Sequence, residues 1–223
     1  MSYFLALETC TKNCSVAIFE NNTLLYLKEQ REDKYLHSEK LNLFIEESLS
    51  KSNISIKKIN GIIISKGPGS YTGLRIGTST AKGLCYSLDI PLISVSTLEA
   101  MSASLKKNKN VFYYCPMLDA RRDEVYAAIF DSDNRIAREI RADIVDSKTY
   151  LNFLNKKIIF FGPGAIKCKS LINHKNAVFE ENIFPSAKNL GILGFRKFLN
   201  EDFEDVAYFE PYYLKDFIAG PRK

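Results

Sequence analysis

The chain has 223 residues, 46% of them apolar, which suits one large domain or two small ones around a packed core; no apolar run is long enough to cross a bilayer. The net charge of +5 is modest, and its lysines cluster in pairs (Lys57-Lys58, Lys106-Lys107, Lys156-Lys157) that read as solvated loops or helix ends and only weakly suggest direct nucleic-acid binding. Five cysteines and two histidines, with no C-x-x-C and with His37 far from His174, exclude a disulfide framework and a His-rich metal site and predict buried, reduced thiols.

Met1-Ser2-Tyr3-Phe4-Leu5 opens directly as a strand with no basic leader, so a cytoplasmic protein is expected. Strands are predicted over Tyr3–Thr9, Ser15–Glu20 and Leu24–Lys28, the last two joined by Asn21-Asn22, a pair that tolerates positive φ. Three antiparallel strands followed by βα units fit an α/β fold of the actin-like ATPase (ASKHA) type, whose lobes are each built βββαβα. In that superfold the first hairpin carries Asp and Gly beside nucleotide phosphates. Here Glu8 takes the Asp place and no glycine follows. Thr9 and Thr11 can still donate hydroxyls to an anion, but a polar β-turn is the plainer reading.

Leu36 to Ser50 reads as an amphipathic helix with Leu41, Phe44, Ile45 and Leu49 on one face. His37 lacks an evident catalytic partner and is expected at the surface or as a cap. Ile59–Ser65 is a strand, β-branched at Ile62 to Ile64 as in strands buried on both faces. Gly67, Pro68, Gly69 and Gly73 then form a turn into a helix over Leu74 to Ser87. A Walker A loop would end G-K-[ST], and a dinucleotide fingerprint needs G-x-G-x-x-G; this turn matches neither. Gly73, Gly77 and Ala81 recur every four residues beside Thr80 and Leu84, a small-residue stripe that lets another element pack close. Gly77 and Gly83 each cost ~1 kcal/mol against alanine in a helix, so each needs a compensating contact, internal or from another subunit. Pro91 follows that helix, Leu92–Val95 is a strand, and Ser96 and Glu99 make a capping box for the next helix. A polar segment at Lys106 to Asn110 divides a first lobe, 1–108, from a second and reduced one, 109–223.

The second lobe opens with strands Val111–Leu118 and Val125–Phe130 around Asp119-Ala120-Arg121-Arg122-Asp123-Glu124. Side chains this large block close backbone approach to a phosphate, and the hairpin is expected to close with internal salt bridges. A strand over Arg135–Val145, a short helix over Asp146–Asn155 capped by Asp146 or Ser147, and a strand over Lys157–Phe161 follow. Gly162-Pro163-Gly164 repeats the earlier G-P-G unit and leads into a helix reaching about Ile172. Ala187–Leu199 is the last long helix, able to pack back on the first lobe, and the tail Gly220-Pro221-Arg222-Lys223 is expected to fray.

Leu5-Ala6-Leu7-Glu8-Thr9, K-G-P-G-S-Y-T-G-L-R-I-G from Lys66 to Gly77, D-A-R-R-D-E-V-Y from Asp119 to Tyr126 and E-P-Y-Y-L-K-D from Glu210 to Asp216 together resemble the TsaB (YeaZ) family. The resemblance spans nearly the whole chain. It implies a bacterial, cytoplasmic subunit that supports synthesis of threonylcarbamoyladenosine at the tRNA adenosine beside the anticodon. It implies pairing with the catalytic paralogue TsaD, or with itself as a homodimer, through helices of the first lobe. It further implies a TsaE-like ATPase as a third component and contact with tRNA only through the complex. The metal-binding H-x-x-x-H of TsaD falls here at Thr97 and Met101, poor substitutes for imidazole. The expectation is therefore a non-catalytic subunit with no cofactor or metal of its own. Its partner-binding residues would be Leu41, Phe44, Ile45, Gly73, Arg75, Gly77, Thr80, Ala81 and Leu84. The alternative is a stand-alone ATP-dependent actin-like kinase or transferase, with Thr9, Thr11, Arg75 or Arg121 holding phosphates. A metallopeptidase is the weakest reading, since paired histidines are missing.

Overall fold

The computed structural model describes residues 1–32, 36–106 and 108–215. Lys107, Asp216 and the segment Gly220–Lys223, all named above, lie outside the described residues. Two five-stranded mixed sheets organise the chain. The first has the order β3-β2-β1-β4-β5, from β1 (Tyr3–Glu8), β2 (Asn13–Glu20), β3 (Thr23–Arg31), β4 (Ile59–Ser65) and β5 (Leu92–Val95). The second has the order β10-β9-β6-β7-β8, from β6 (Tyr113–Asp119), β7 (Glu124–Asp131), β8 (Ile136–Ile144), β9 (Ile158–Phe161) and β10 (Ala177–Glu180). Each opens with an antiparallel meander and adds parallel strands beside its first strand. The first sheet follows the βββαβα plan, and the second repeats it without a helix between β8 and β9.

Strand alternation explains the layers. In β1 and β4, Leu5, Leu7, Ile62 and Ile64 point to one face, packed with Leu41, Phe44, Ile45 and Ala81 from α1 (His37–Ser52) and α2 (Tyr71–Leu88). Phe4, Ala6 and Ile63 point to the other, covered by Ala187, Leu190 and Leu193 from the far end of the chain. There the chain forms a 3-10 turn over Ala187–Asn189 and then α5 (Gly191–Leu199), rather than one continuous helix. Gly191 and Gly194 let α5 sit on the sheet: a Cβ would meet Phe19 Cε1 at 2.2 Å and Ile63 Cδ1 at 2.6 Å. Helix α3 (Thr97–Ser104) begins where expected, with Ser96 Oγ accepting from the Glu99 N–H at 3.5 Å. Its Leu98 and Met101, with Leu74 and Cys10, share a core with Tyr114, Leu118, Phe130 and Phe161 of the second sheet, so the two sheets are joined by apolar packing.

Three sequence expectations need correction. The 146–155 stretch is a run of turns, because Asp146 Oδ1 accepts from the Lys148 N–H at 2.9 Å and the Thr149 hydroxyl at 2.7 Å. Such local side-chain bonds compete with a helix. The helix after Gly164 is only α4 (Ala165–Cys168). Strand β10 was not anticipated from the sequence; it pairs parallel to β9 at the sheet edge, and all four of its residues are half-buried, so it lacks an alternating signal. All five cysteines are buried and free, as their spacing suggested.

Candidate functional site

The end of β1 is where an actin-like protein would bring its first phosphate hairpin, and here that space is filled. Glu8 is 1% exposed, and its Oε1 accepts from the Cys10 N–H at 2.8 Å and the Ser65 hydroxyl at 2.7 Å. Burial pushes the Glu8 carboxyl above the usual carboxylate range, against the opposing pull of these hydrogen bonds. The glycine turn closes on the same loop. The Ser70 N–H donates to Cys10 O at 2.6 Å, and a Cβ at Gly69 would stand 2.5 Å from Cys10 Cβ. One turn into α2, a Cβ at Gly73 would stand 2.1 Å from Thr9 O, and one at Gly77 2.3 Å from Thr9 Oγ1. Thr9 is thus sealed beneath α2 and not placed to reach an anion. Thr11 is half-buried, its Oγ1 accepting from the Asn13 N–H at 3.3 Å.

His37 is a correction. It is 1% exposed, neither a surface nor a capping residue, with Nε2 2.7 Å from Thr11 O. Burial pushes its pKa down. Helix α1 therefore also braces the β1–β2 turn.

The raised carboxyl of Glu8 has a pH signature. A carboxyl that holds its proton more tightly when folded loses stability as pH rises from the ordinary carboxylate range through the raised value. The slope for one proton is at most about 1.4 kcal/mol per pH unit. Glu8→Gln keeps the shape and removes the titration, so its unfolding free energy is expected to lack that component. Chemical denaturation of both proteins between pH 4 and 8 checks this; parallel curves would place the ionised carboxylate in the fold at no cost.

The second-lobe hairpin also departs from expectation. Among the described residues, two of its carboxylates, Asp119 and Glu124, pair with lysines from elsewhere and none pairs with its own arginines. Lys167 Nζ lies 2.6 Å from Asp119 Oδ1 and donates to Arg122 O at 2.8 Å and Glu124 O at 2.7 Å, while Lys215 pairs with Glu124. Arg121 and Arg122 carry φ of 69° and 48°, the left-handed region that favours glycine or asparagine.

The expected docking residues fall into two groups. Leu41, Phe44 and Ile45 are 1%, 4% and 6% exposed, and Gly73, Gly77 and Ala81 are buried on the chain's own sheet and loop. Their stripe faces inward. Arg75 is exposed, and Thr80 and Leu84 are half-buried on the helix flank. The outward face of α2 carries Thr72, Arg75, Ser79, Gly83 and Tyr86. Tyr86 is 86% exposed and, on α1, Leu43 is 56% exposed. A Cβ at Gly83 would meet nothing within 4 Å. Of the residues the sequence reading named, Arg75, Thr80 and Leu84 are accessible and the rest are buried, while the exposed Leu43 and Tyr86 were not among them. The three-to-four-residue spacing from Arg75 through Ser79 and Gly83 to Tyr86 marks this exposed face in the sequence. Near the N-terminus of α2 the Arg75 guanidinium lies 4.2 Å from the Tyr71 ring centroid, and the Tyr71 and Tyr213 rings meet tilted, centroids 4.8 Å apart.

Thr97 and Met101 are fully buried at the start of α3. Among the described residues no three His, Cys, Asp or Glu side chains gather to hold a metal ion, and no helix is long and apolar enough to cross a membrane.

The profile of the family described as "TsaD: tRNA N6-adenosine threonylcarbamoyltransferase" matches residues 31–219. Two curated relatives are named tRNA threonylcarbamoyladenosine biosynthesis protein TsaB. The one from Escherichia coli is 27% identical over 96% of this chain and 95% of its own. The one from Bacillus subtilis is 29% identical over 75% of this chain and 74% of its own. The chain belongs to the TsaB (YeaZ) family. The solved structure of YeaZ from Pseudomonas aeruginosa, 22% identical, superposes with a TM-score of 0.80 over 96% of this chain and all of that one, which establishes the shared actin-like fold. As a TsaB-family member the chain is a protein of tRNA threonylcarbamoyladenosine biosynthesis. The strings K-G-P-G-S-Y-T-G-L-R-I-G and D-A-R-R-D-E-V-Y, which carried the resemblance, form the clamped turn and the lysine-braced hairpin described above.

Proposed function

We propose that the chain is a non-catalytic partner subunit for transfer of the threonylcarbamoyl group to N6 of the tRNA adenosine beside the anticodon. It pairs with a TsaD-like catalytic paralogue, is joined by a TsaE-like ATPase, forms a homodimer when alone, and works in the cytoplasm. The tRNA is met within that complex. The observation that carries this reading is the filled first hairpin. Gly69, Gly73 and Gly77 have their space occupied by Cys10 and Thr9, so the loop cannot open toward a phosphate without lifting α2. The docking part is assigned to the outward flank of α2, with Arg75, Thr80, Gly83, Leu84 and Tyr86, and to the exposed Leu43 of α1. An open helical glycine next to exposed apolar side chains suits helix-on-helix packing.

The test is reconstitution. The chain is combined with its own organism's paralogue and ATPase, and tRNA modification is assayed with each component omitted. The expected result is no transfer by the lone chain, no tight Mg-ATP binding by calorimetry, and loss of modification when the chain is left out. Threonylcarbamoyl transfer by this chain alone would overturn the reading.

A further inference from the structure

The D-A-R-R hairpin has no role in the docking just described, and its tip breaks a local rule twice. Arg121 and Arg122 are consecutive, exposed and both in the left-handed region, where residues with a Cβ are disfavoured. Among the described residues no ion pair of either arginine compensates. Asp119 pairs with Lys167 and Glu124 with Lys215, and among the described residues neither guanidinium has a carboxylate partner. Lys167 is spent on Asp119 and the carbonyls of Arg122 and Glu124, which pins the hairpin in shape. The tip and its two lysines hold four cations (Arg121, Arg122, Lys167, Lys215) against three carboxylates (Asp119, Asp123, Glu124). The surplus charge therefore rests on two exposed guanidiniums that, among the described residues, have no carboxylate partner.

We propose that Arg121 and Arg122 bind the phosphodiester backbone of the RNA on which the modifying complex acts, an assignment that rests on the function proposed above. Paired planar guanidiniums match phosphate oxygens bidentately and stay charged at any physiological pH. A small nucleotide would need a concave site that buries it, whereas an exposed tip suits a long polyanion gripped from outside. Contacts of this kind position the RNA without reading its sequence.

The experiment uses the reconstituted complex with the paralogue and an unmodified tRNA transcript, with affinity measured across a salt series. For the double variant Arg121→Gly/Arg122→Gly, tRNA affinity falls roughly tenfold, and the slope of log K against log salt shrinks by about 0.7–0.9 per lost phosphate contact. Pairing with the paralogue, measured separately, is unchanged. Glycine also relieves the backbone, so the melting temperature rises by about 2–4 °C. A structural role for the arginines would move stability the other way. Arg121→Lys/Arg122→Lys keeps most of the salt slope. Unchanged tRNA affinity and slope in the glycine variant would overturn the proposal, as would a loss that appears in Mg-ATP binding or in pairing instead. If the wild-type chain does not pair with the paralogue at all, it is the functional reading that fails. In that case tRNA binding by the lone chain, compared with its glycine variant, still tests the hairpin.

Discussion

Gly73→Ala is expected to destabilise the chain by about 3 kcal/mol, although alanine is the better helix former by about 1 kcal/mol. The new methyl would stand 2.1 Å from the carbonyl oxygen of Thr9. That oxygen belongs to a turn tied down on both sides, by Glu8 to Ser65 and by Cys10 to Ser70. Neither the turn nor α2 can retreat without breaking these bonds. Gly77→Ala meets the Thr9 hydroxyl at 2.3 Å and is expected to behave similarly. On the same helix, Gly83→Ala is expected to stabilise by about 1 kcal/mol, because its methyl enters open space and only the helix preference remains. The expected melting shifts are a fall of roughly 6–12 °C at Gly73 and a rise of roughly 2–4 °C at Gly83. Thermal melts of the three single variants decide the matter. A Gly73→Ala protein as stable as wild type would mean that the first hairpin is not clamped beneath α2.

The contrast between these glycines marks where sequence reasoning reached and where it stopped. Periodicity placed β1, β4 and α2 well, because Ile62 to Ile64 can only be a strand buried on both faces, and the G-P-G turn can only end it. The stripe of Gly73, Gly77 and Ala81 correctly signalled a close approach. It carried no information on what approached. Thr9 fills that place through strand pairing that brings distant segments together, so a stripe expected to face a partner faces the chain itself. His37 reads as a surface residue because the carbonyl it touches, Thr11 O, is 26 positions away. The D-A-R-R hairpin suggested internal ion pairs for the same reason, since Lys167 and Lys215 are brought to it only by the fold. Strand β10 was illegible for a different cause: a short, half-buried edge strand does not alternate. Asp146 shows a local signal misread, since an Asp that caps a helix also closes a turn when nothing downstream packs as a helix.

Gly83→Arg is expected to lower affinity for the TsaD-like paralogue at least 100-fold, about 2.7 kcal/mol, while leaving the fold intact. A long charged side chain at the one open glycine of the outward α2 face keeps a partner helix from closing to the 8–10 Å that ridge-into-groove packing requires. Tyr86→Ala is expected to cost about tenfold or more, as exposed tyrosines at helix interfaces often dominate binding. The free chain tolerates both changes, because Gly83 touches nothing and Tyr86 is 86% exposed. Ile166→Arg supplies the control: it places the same charge on an exposed apolar site of α4, 55% exposed and in the other lobe, and is expected to leave pairing unchanged. Calorimetric titration of each variant into the paralogue, with melting temperatures alongside, separates the outcomes. Full affinity in Gly83→Arg would move the interface off α2, since no partner helix could pack across that face with an arginine beneath it. Equal losses in Gly83→Arg and Ile166→Arg would instead point to long-range charge repulsion, which added salt abolishes and a steric block does not.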